Sequence, residues 1–391
     1  MHIILFDTSA LRGRFYPLSY TKPFASLQMG IFSMKEWWEK MTGMQVFLLT
    51  EDYLQAGYPL PENEWVYFIN AGLLPNRNIW NEIQNLQEGE LLKAREGQLL
   101  AAKANFDKNE KLAFLQINYS ERKVETDYIF IERPYQLLQN HARAIEEQLE
   151  LIMQGKNSQK ISSTNNIIAP ENIFLEEGVQ MEYVSLNASE GKIYIGKNAL
   201  IMEGSMIRGA FALGENSVVK MGTKIYGATS TGKKCALGGE IKNTIFNHFS
   251  NKAHDGYLGD SIVGNWCNFG AGTSNSNIKN TANEVAVYDY FSKSMVAAGK
   301  KFGLLMGDYS RLAINSSINT GTSIGVCCNV FGGGLLPKHI PNFSWGISNR
   351  NSKYQMEKAM QHIQNWMALK AEKLSDWEIQ ILQHIFDNAD I

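Results

Sequence analysis

Nine consecutive residues, Lys252 to Asp260 (KAHDGYLGD), bring together a histidine, a phenol, a lysine and two carboxylates. Lys242 precedes His254 by twelve residues, and Asn268 and Asn277 follow it. Imidazole is the side chain whose ordinary titration lies near neutrality, so His254 is the natural proton acceptor of the set. A lysine and a tyrosine can hold a phosphate dianion on an open surface, one as a point cation and the other as a phenol donor. Next to Asn268 stands a run of small residues, Gly270-Ala271-Gly272, past which a cofactor can approach the backbone closely. Each residue also has a plainer reading. A histidine can simply cap a break in a repeat, and asparagines are common where a turn needs positive φ.

The elements that must position these residues announce themselves through a period of six. Aliphatic residues recur at Ile195, Ile201, Ile207, Leu213, Val219 and Ile225, skip Thr231, and return at Leu237. The count resumes at Met306, Leu312, Ile318, Ile324 and Val330. Neither a helix nor a half-buried strand sustains that period. Short strands separated by turns, each sending one aliphatic side chain inward, do so, and stacked units of this kind form a solenoid. The period breaks between Asn243 and Val263, around the histidine-bearing segment. A second interruption, Asn280 to Gly303, contains VAVYDYFSKSMVAAGKKF. Such breaks are where loops leave a rod and where function concentrates.

Ahead of the solenoid, His2 to Phe6, Val46 to Leu49 and Val66 to Ile69 read as strands, with a helix expected over Phe24 to Lys40. Strand, helix, strand predicts an α/β domain with a parallel sheet. A helix over Ala144 to Met153 is expected to close that domain, and the polar Gln154 to Asn166 reads as a linker. Beyond Lys353 the spacing turns helical, with Ser375 and Glu378 forming a capping box. The expected layout is an α/β domain over 1–160, a solenoid over 167–350, and helices over 351–391. The helical tail is expected to pack on the rod or on a neighbouring subunit.

Of the 391 residues, 44% are hydrophobic, as expected of a globular chain with two or three domains. A net charge of −2 argues against binding nucleic acid through a basic excess. No apolar stretch approaches the ~20 residues that span a bilayer, so no membrane insertion is expected. Four cysteines without CxxC spacing and no signal-peptide pattern predict a reducing cytoplasm.

The KAHDGYLGD stretch, the following NFGAGT (Asn268 to Thr273) and then Asn277 resemble the acetyltransferase half of bifunctional N-acetylglucosamine-1-phosphate uridyltransferase/glucosamine-1-phosphate acetyltransferases. That family reads K-A-x-H-x-x-Y-x-G-D, then N-x-G-A-G-T, then an asparagine. Arg14 to Leu27, RFYPLSYTKPFASL, is similar to RxxPLSxTKPxAxL in a variant, sugar-nucleotidyltransferase-like branch. The resemblance implies a nucleotidyltransferase-like (Rossmann-like) α/β domain, a left-handed parallel β-helix of hexapeptide repeats, and a C-terminal helical tail. It also implies a homotrimer with acetyl sites between subunits. By resemblance, His254 is the general base, Lys242, Tyr257, Asn268 and Asn277 hold the sugar phosphate, and the backbone at Ala271 meets coenzyme A.

Departures from the family pattern matter. The family arginine about thirty residues before the histidine is absent: Lys224, Ile225, Tyr226 and Gly227 occupy the region. A family lysine after the second asparagine is matched only by the shifted Lys279, or by Lys300 or Lys301 in the insertion. In the N-terminal domain the loop Asp7 to Arg14 has one glycine where the family has several. Arg14 matches the family arginine, and Lys22 lies before Pro23 where the family lysine follows it. Asn70-Ala71-Gly72 replaces the family's Gly-Asp, which leaves Asp7 as an alternative ligand for Mg²⁺.

The expected function is therefore acetyl-CoA-dependent N-acetylation of an amino-sugar 1-phosphate in nucleotide-sugar biosynthesis, with nucleotidyl transfer from UTP by the N-terminal domain. The alternative is a nucleotidyltransferase or nucleotide-sugar-binding protein whose β-helix mainly drives oligomerisation. Either way the partners are small molecules.

Overall fold

A computed structural model of the chain describes residues 1–62, 64–107, 120–347 and 352–388. The expected boundary between residues 350 and 351 lies outside the described residues. The chain divides into two compact units. One comprises 1–13, 22–27 and 32–133, and the other 14–21, 28–31 and 134–391.

The first unit is built on a six-stranded mixed sheet in the order Val46–Leu49, His2–Phe6, Glu64–Asn70, Leu99–Phe106, Glu90–Lys93, Ser120–Lys123. The three expected strands form and pair in parallel. Glu64–Asn70 then pairs antiparallel with Leu99–Phe106, giving the mixed half. Ile4, Phe6, Val66, Phe68, Ala102 and Phe106 make its core. The helix expected over Phe24 to Lys40 is corrected. Phe24–Ser26 is a single 3₁₀ turn and the helix runs Met34–Thr42. Gly30 at φ +82° ends any helical path before it. Ser33 caps the real start, accepting from Glu36 N while Glu36 accepts from Ser33 N.

The second unit is a parallel β-helix of three-sided coils, the left-handed hexapeptide type. Neighbouring coils are spaced by eighteen residues where the repeat is regular, with Ile201 opposite Val219 and Val219 opposite Leu237. One face stacks Ser185–Asn187, Met206–Arg208, Lys224–Tyr226, the start of Glu240–Phe246 and the start of Tyr257–Val263; we call it face A. Face B stacks Ile193–Ile195, Phe211–Leu213, Thr229–Thr231 and the ends of the same two long strands. Face C stacks Gln180–Met181, Leu200–Ile201, Val218–Val219, Ala236–Leu237, Asn251–Lys252, Asn268–Phe269, Arg311–Leu312 and Asn329–Val330. Every aliphatic of the six-residue count lies in the buried core. Thr231 continues the column, 1% exposed, because its Oγ1 accepts from Gly214 N at 2.8 Å.

Two sequence expectations change in this unit. The helix assigned to the close of the first domain forms as His141–Met153 and packs on face B through Ile145 against Ala210, Ala212 and Ala228. Its amphipathic pattern predicts a partner surface without saying which one. His141 is fully buried, with Nδ1 2.9 Å from Ala228 O and Nε2 2.8 Å from Ser230 Oγ. A carbonyl can only accept, so the ring is neutral with its proton on Nδ1, and burial draws its pKa down to about 4. The polar stretch read as a linker belongs to the rod. Gln159 donates from N to Leu175 O and from Nε2 to Val179 O, both at 2.8 Å, while Ile161 packs on the end of the core.

The tail helices Met356–Ala368 and Asp376–Asp387 pack on the rod of their own chain. Lys370 donates to Asn251 Oδ1 at 2.9 Å and Phe249 O at 3.2 Å, and Glu372 pairs with Lys234 at 2.7 Å. Among the described residues no helix is long and apolar enough to cross a membrane. All four cysteines are buried and free.

Candidate functional site

The apparent break between Asn243 and Val263 is a contraction of the coil, and it builds the site. Glu240–Phe246 and Tyr257–Val263 are seven-residue strands that run from face A around a corner onto face B. Leu237 is opposite Lys252 in the next coil, a shorter step than the eighteen residues below it. Inward positions continue through Ile241, Phe246, Lys252, Leu258 and Val263, all nearly fully buried.

This register brings Lys242, Tyr257 and their neighbours together on face A. Tyr226 lies opposite Lys242, Lys242 opposite Gly259, and Glu240 opposite Tyr257. Lys242 Nζ stands 5.5 Å over the Tyr226 ring, a cation–π contact. Tyr226 donates its hydroxyl proton to Glu240 Oε1 at 2.6 Å, and that bond pushes its pKa up to about 12. Asn277 donates to Tyr257 OH at 3.0 Å and to Asp260, which also accepts from Asn243 at 2.7 Å. Burial, reinforced by Asp260, raises the Tyr257 pKa, so it acts as a neutral phenol. The asparagine pair neutralises nothing but satisfies the buried Asp260 carboxylate.

His254 lies on the exposed turn between Asn251–Lys252 on face C and Tyr257 on face A. Ala271 sits on the same corner one coil further on, also exposed, where Gly272 N donates to Asp255 O at 3.1 Å. Gly256 has φ +116° and a Cβ there would meet Thr273 O at 2.1 Å, so the turn that carries His254 requires glycine. Asn268 is elsewhere, on face C between Asn251 and Arg311.

The insertion contains an antiparallel hairpin, Ala286–Asp289 with Ser294–Ala297. Its exit returns to the site: Phe302 N donates to Asn277 O at 3.0 Å and Gly303 N to Asp260 O at 2.8 Å. Lys300 and Lys301, exposed, immediately precede those bonds. An open groove of about 420 Å³ on face A is lined by Arg208, Lys224, Tyr226 and Glu240 among others. Sequence reasoning assigned no role to Tyr226, Glu240, Asn243 or Asp260. The signal that could have found them is the coil spacing itself, which aligns Tyr226 with Lys242.

The expected N-terminal site residues fall in different units. Lys22 is buried in the first unit, 5% exposed, and its carbonyl accepts from Arg12 at 3.3 Å. Arg14 falls in the second unit, with its guanidinium 5.8 Å from the Phe291 ring centre. The cation beside Asp7 is Arg12, fully buried, whose Nη1 also donates to Thr50 at 3.1 Å and Nη2 to Tyr53 OH at 2.9 Å. Burial raises the Asp7 pKa against the pull of Arg12. One Asp7 oxygen already accepts from Arg12 and from Phe24 N. Among the described residues no group of three or more His, Cys, Asp or Glu side chains could hold a metal ion. Asp7 Oδ1 is buried without a hydrogen-bond partner, and such a carboxylate would hold Mg²⁺ together with substrate phosphates; no step is routed through the ion.

The fold defines a class: a nucleotidyltransferase-like mixed-sheet unit joined to a left-handed β-helix with C-terminal helices. Residues 3–157 match the family model described as sugar nucleotidyl transferase. Over 153 residues the chain is 30% identical to the bifunctional sugar-1-phosphate nucleotidylyltransferase/acetyltransferase of Sulfurisphaera tokodaii, covering 39% of this chain and 38% of that one. Over 101 residues it is 31% identical to the bifunctional protein GlmU of Methanocaldococcus jannaschii, covering 26% of this chain and 24% of that one. An Arabidopsis UDP-N-acetylglucosamine acyltransferase structure aligns with a TM-score of 0.31 at 14% identity, over 59% of this chain and 90% of that one. The matches to the two curated relatives span less than two fifths of their length.

Proposed function

We propose that the β-helix is an acetyltransferase that moves an acetyl group from acetyl-CoA to the amine of an amino-sugar 1-phosphate. The observation that carries this reading is the meeting of Lys242, Tyr257 and Asn277 on face A beside the exposed turn of His254. His254 takes a proton from the amine as its nitrogen attacks the thioester carbonyl. The C–N bond forms, the C–S bond breaks, and the thiolate leaves and is protonated. Lys242 and the neutral Tyr257 phenol hold the phosphate. Ala271 and Gly272 leave the corner open to the pantetheine arm of the donor.

The site differs from a purely cationic phosphate cradle, because Tyr226 bonded to Glu240 stands opposite Lys242 where a second cation would sit. Lys300 and Lys301, carried next to Asn277 by the insertion, supply positive charge from the other side. Asn268, on face C, serves the site of a neighbouring copy in a homotrimer. The protein works in the cytoplasm, in keeping with four buried thiols outside any disulfide.

For the first unit the reading is binding of a nucleotide sugar. Arg12 is committed to Asp7, Thr50 and Tyr53 inside the unit, which favours binding over nucleotidyl transfer from UTP. Mass spectrometry of glucosamine 1-phosphate after incubation with protein and acetyl-CoA tests the acetyltransferase reading. N-acetylated product supports it, and recovery of the free amine with intact donor refutes it.

A further inference from the structure

A lysine occupies the inside of the rod. The strand Asn251–Lys252 stacks on Ala236–Leu237, and the register sets Lys252 opposite Leu237. The inward column on that face is otherwise Met181, Ile201, Val219, Leu237, Phe269 and Leu312. Lys252 is 1% exposed. Its Nζ donates to three backbone carbonyls: Gly238 O at 3.3 Å, Asp255 O at 3.2 Å, and His254 O. Three donors meet three acceptors, so the cation is satisfied without a carboxylate bonded to it. Burial still draws its pKa down to about 8, opposed in part by Asp255.

A buried ammonium costs folding free energy that an aliphatic side chain in the same place would not. The column therefore does not call for a lysine on grounds of stability. What a lysine does, and a leucine cannot, is fasten the carbonyls of His254 and Asp255 to the interior of the coil. Both residues are exposed, so without that tether the turn keeps Gly272 N on Asp255 O, Glu240 N on Gly256 O and Tyr257 N on Ser274 Oγ, none of which reaches His254.

We propose that Lys252 is the positioning residue that locks the turn and fixes the direction of the His254 imidazole, an inference that rests on the acetyltransferase reading. Only the ammonium has three protons to give; a neutral amine has two, and points its lone pair at a carbonyl. The charged group that acts on it is Asp255 on its own turn. The stacked segments, Ala236 to Gly239 on one side and Asn268 to Thr273 on the other, carry no titratable side chain.

The test is Lys252→Met, which keeps the apolar volume and removes the donors. The variant is expected to fold with unchanged or higher Tm and to show at least about tenfold faster hydrogen exchange in the peptide spanning 251–258. Its kcat for acetyl transfer should fall about ten- to a hundredfold, as a small misplacement of a catalytic group does, with KM for the sugar phosphate within about twofold. Wild-type activity should decline as pH rises through about 8 with loss of the Lys252 proton, and that limb should be missing from the variant. Unchanged exchange in the turn, or unchanged kcat in a folded variant, overturns the proposal. Should Lys252→Met not fold, Lys252→Leu, which also carries no donor, is read in the same way. If the wild type itself transfers no acetyl group while the variant's turn loosens, the tether stands and the acetyltransferase reading falls.

Discussion

His254 owes its place to neighbours that are not themselves chemical. Gly256 lets the chain pass under Thr273, and Gly272 bonds the carbonyl of Asp255. The imidazole is exposed, so its removal should leave the core untouched. Lys242 presents a cation on face A, 5.5 Å over the Tyr226 ring, and in the proposed site its charge meets the phosphate. Lys242→Ala is expected to raise KM for the sugar phosphate about tenfold or more while kcat changes little, as loss of a uniform binding contact does. Steady-state kinetics against sugar-phosphate concentration checks this, and an unchanged KM would make Lys242 a surface charge. Tyr226→Phe removes the hydroxyl that engages Glu240. The freed carboxylate should then compete for Lys242 and raise the same KM, an effect that Tyr226→Phe combined with Glu240→Gln should cancel.

At the scale of elements, the six-residue count made the rod legible, because one buried aliphatic per segment is a rule the chain obeys from Ile195 to Leu237, Thr231 apart, and again from Met306 to Val330. Among the residues proposed for the chemistry, His254 and Tyr257 were legible for the opposite reason: they sit where the count fails. What stayed hidden was how it fails. The coil shortens, two strands turn a corner, and a lysine takes an aliphatic's place. Phe246, Lys252 and Leu258 are in fact six apart, but a rule that looks for aliphatics does not count a lysine. The helix His141–Met153 was legible as a helix and not as part of the rod, since an apolar stripe does not name its partner. Its anchor gives a pH prediction. His141 is neutral in the fold with a pKa near 4, against about 6.5 when unfolded. The unfolded chain binds the extra proton between those values, so stability present above pH ~6.5 is lost as pH falls towards 4. Thermal melts over that range should show the decline, and His141→Gln should flatten it. Leu237→Ala, in the middle of the fully buried column, should lower stability by about 2–5 kcal/mol, measured by denaturant unfolding.

For the molecule as a whole, the two units raise separate questions. The rod carries a gathered set of polar groups on face A, whereas the mixed-sheet unit carries a buried Arg12 committed to Asp7, Thr50 and Tyr53. Incubation with UTP and N-acetylglucosamine 1-phosphate is therefore expected to release no pyrophosphate, and sustained release would show that the first unit is a working nucleotidyltransferase. Light scattering is expected to give three times the chain mass, and a monomer would leave Asn268, on face C, without a site to serve. The central claim is acetyl transfer at the corner of His254, and thiol release from acetyl-CoA in the presence of glucosamine 1-phosphate tests it most directly. The account predicts release that needs the sugar phosphate and drops about 10²- to 10⁴-fold in His254→Ala, as loss of a general base does, with Tm unchanged. Equal release from the wild type and a folded His254→Ala, or none from either, would contradict it.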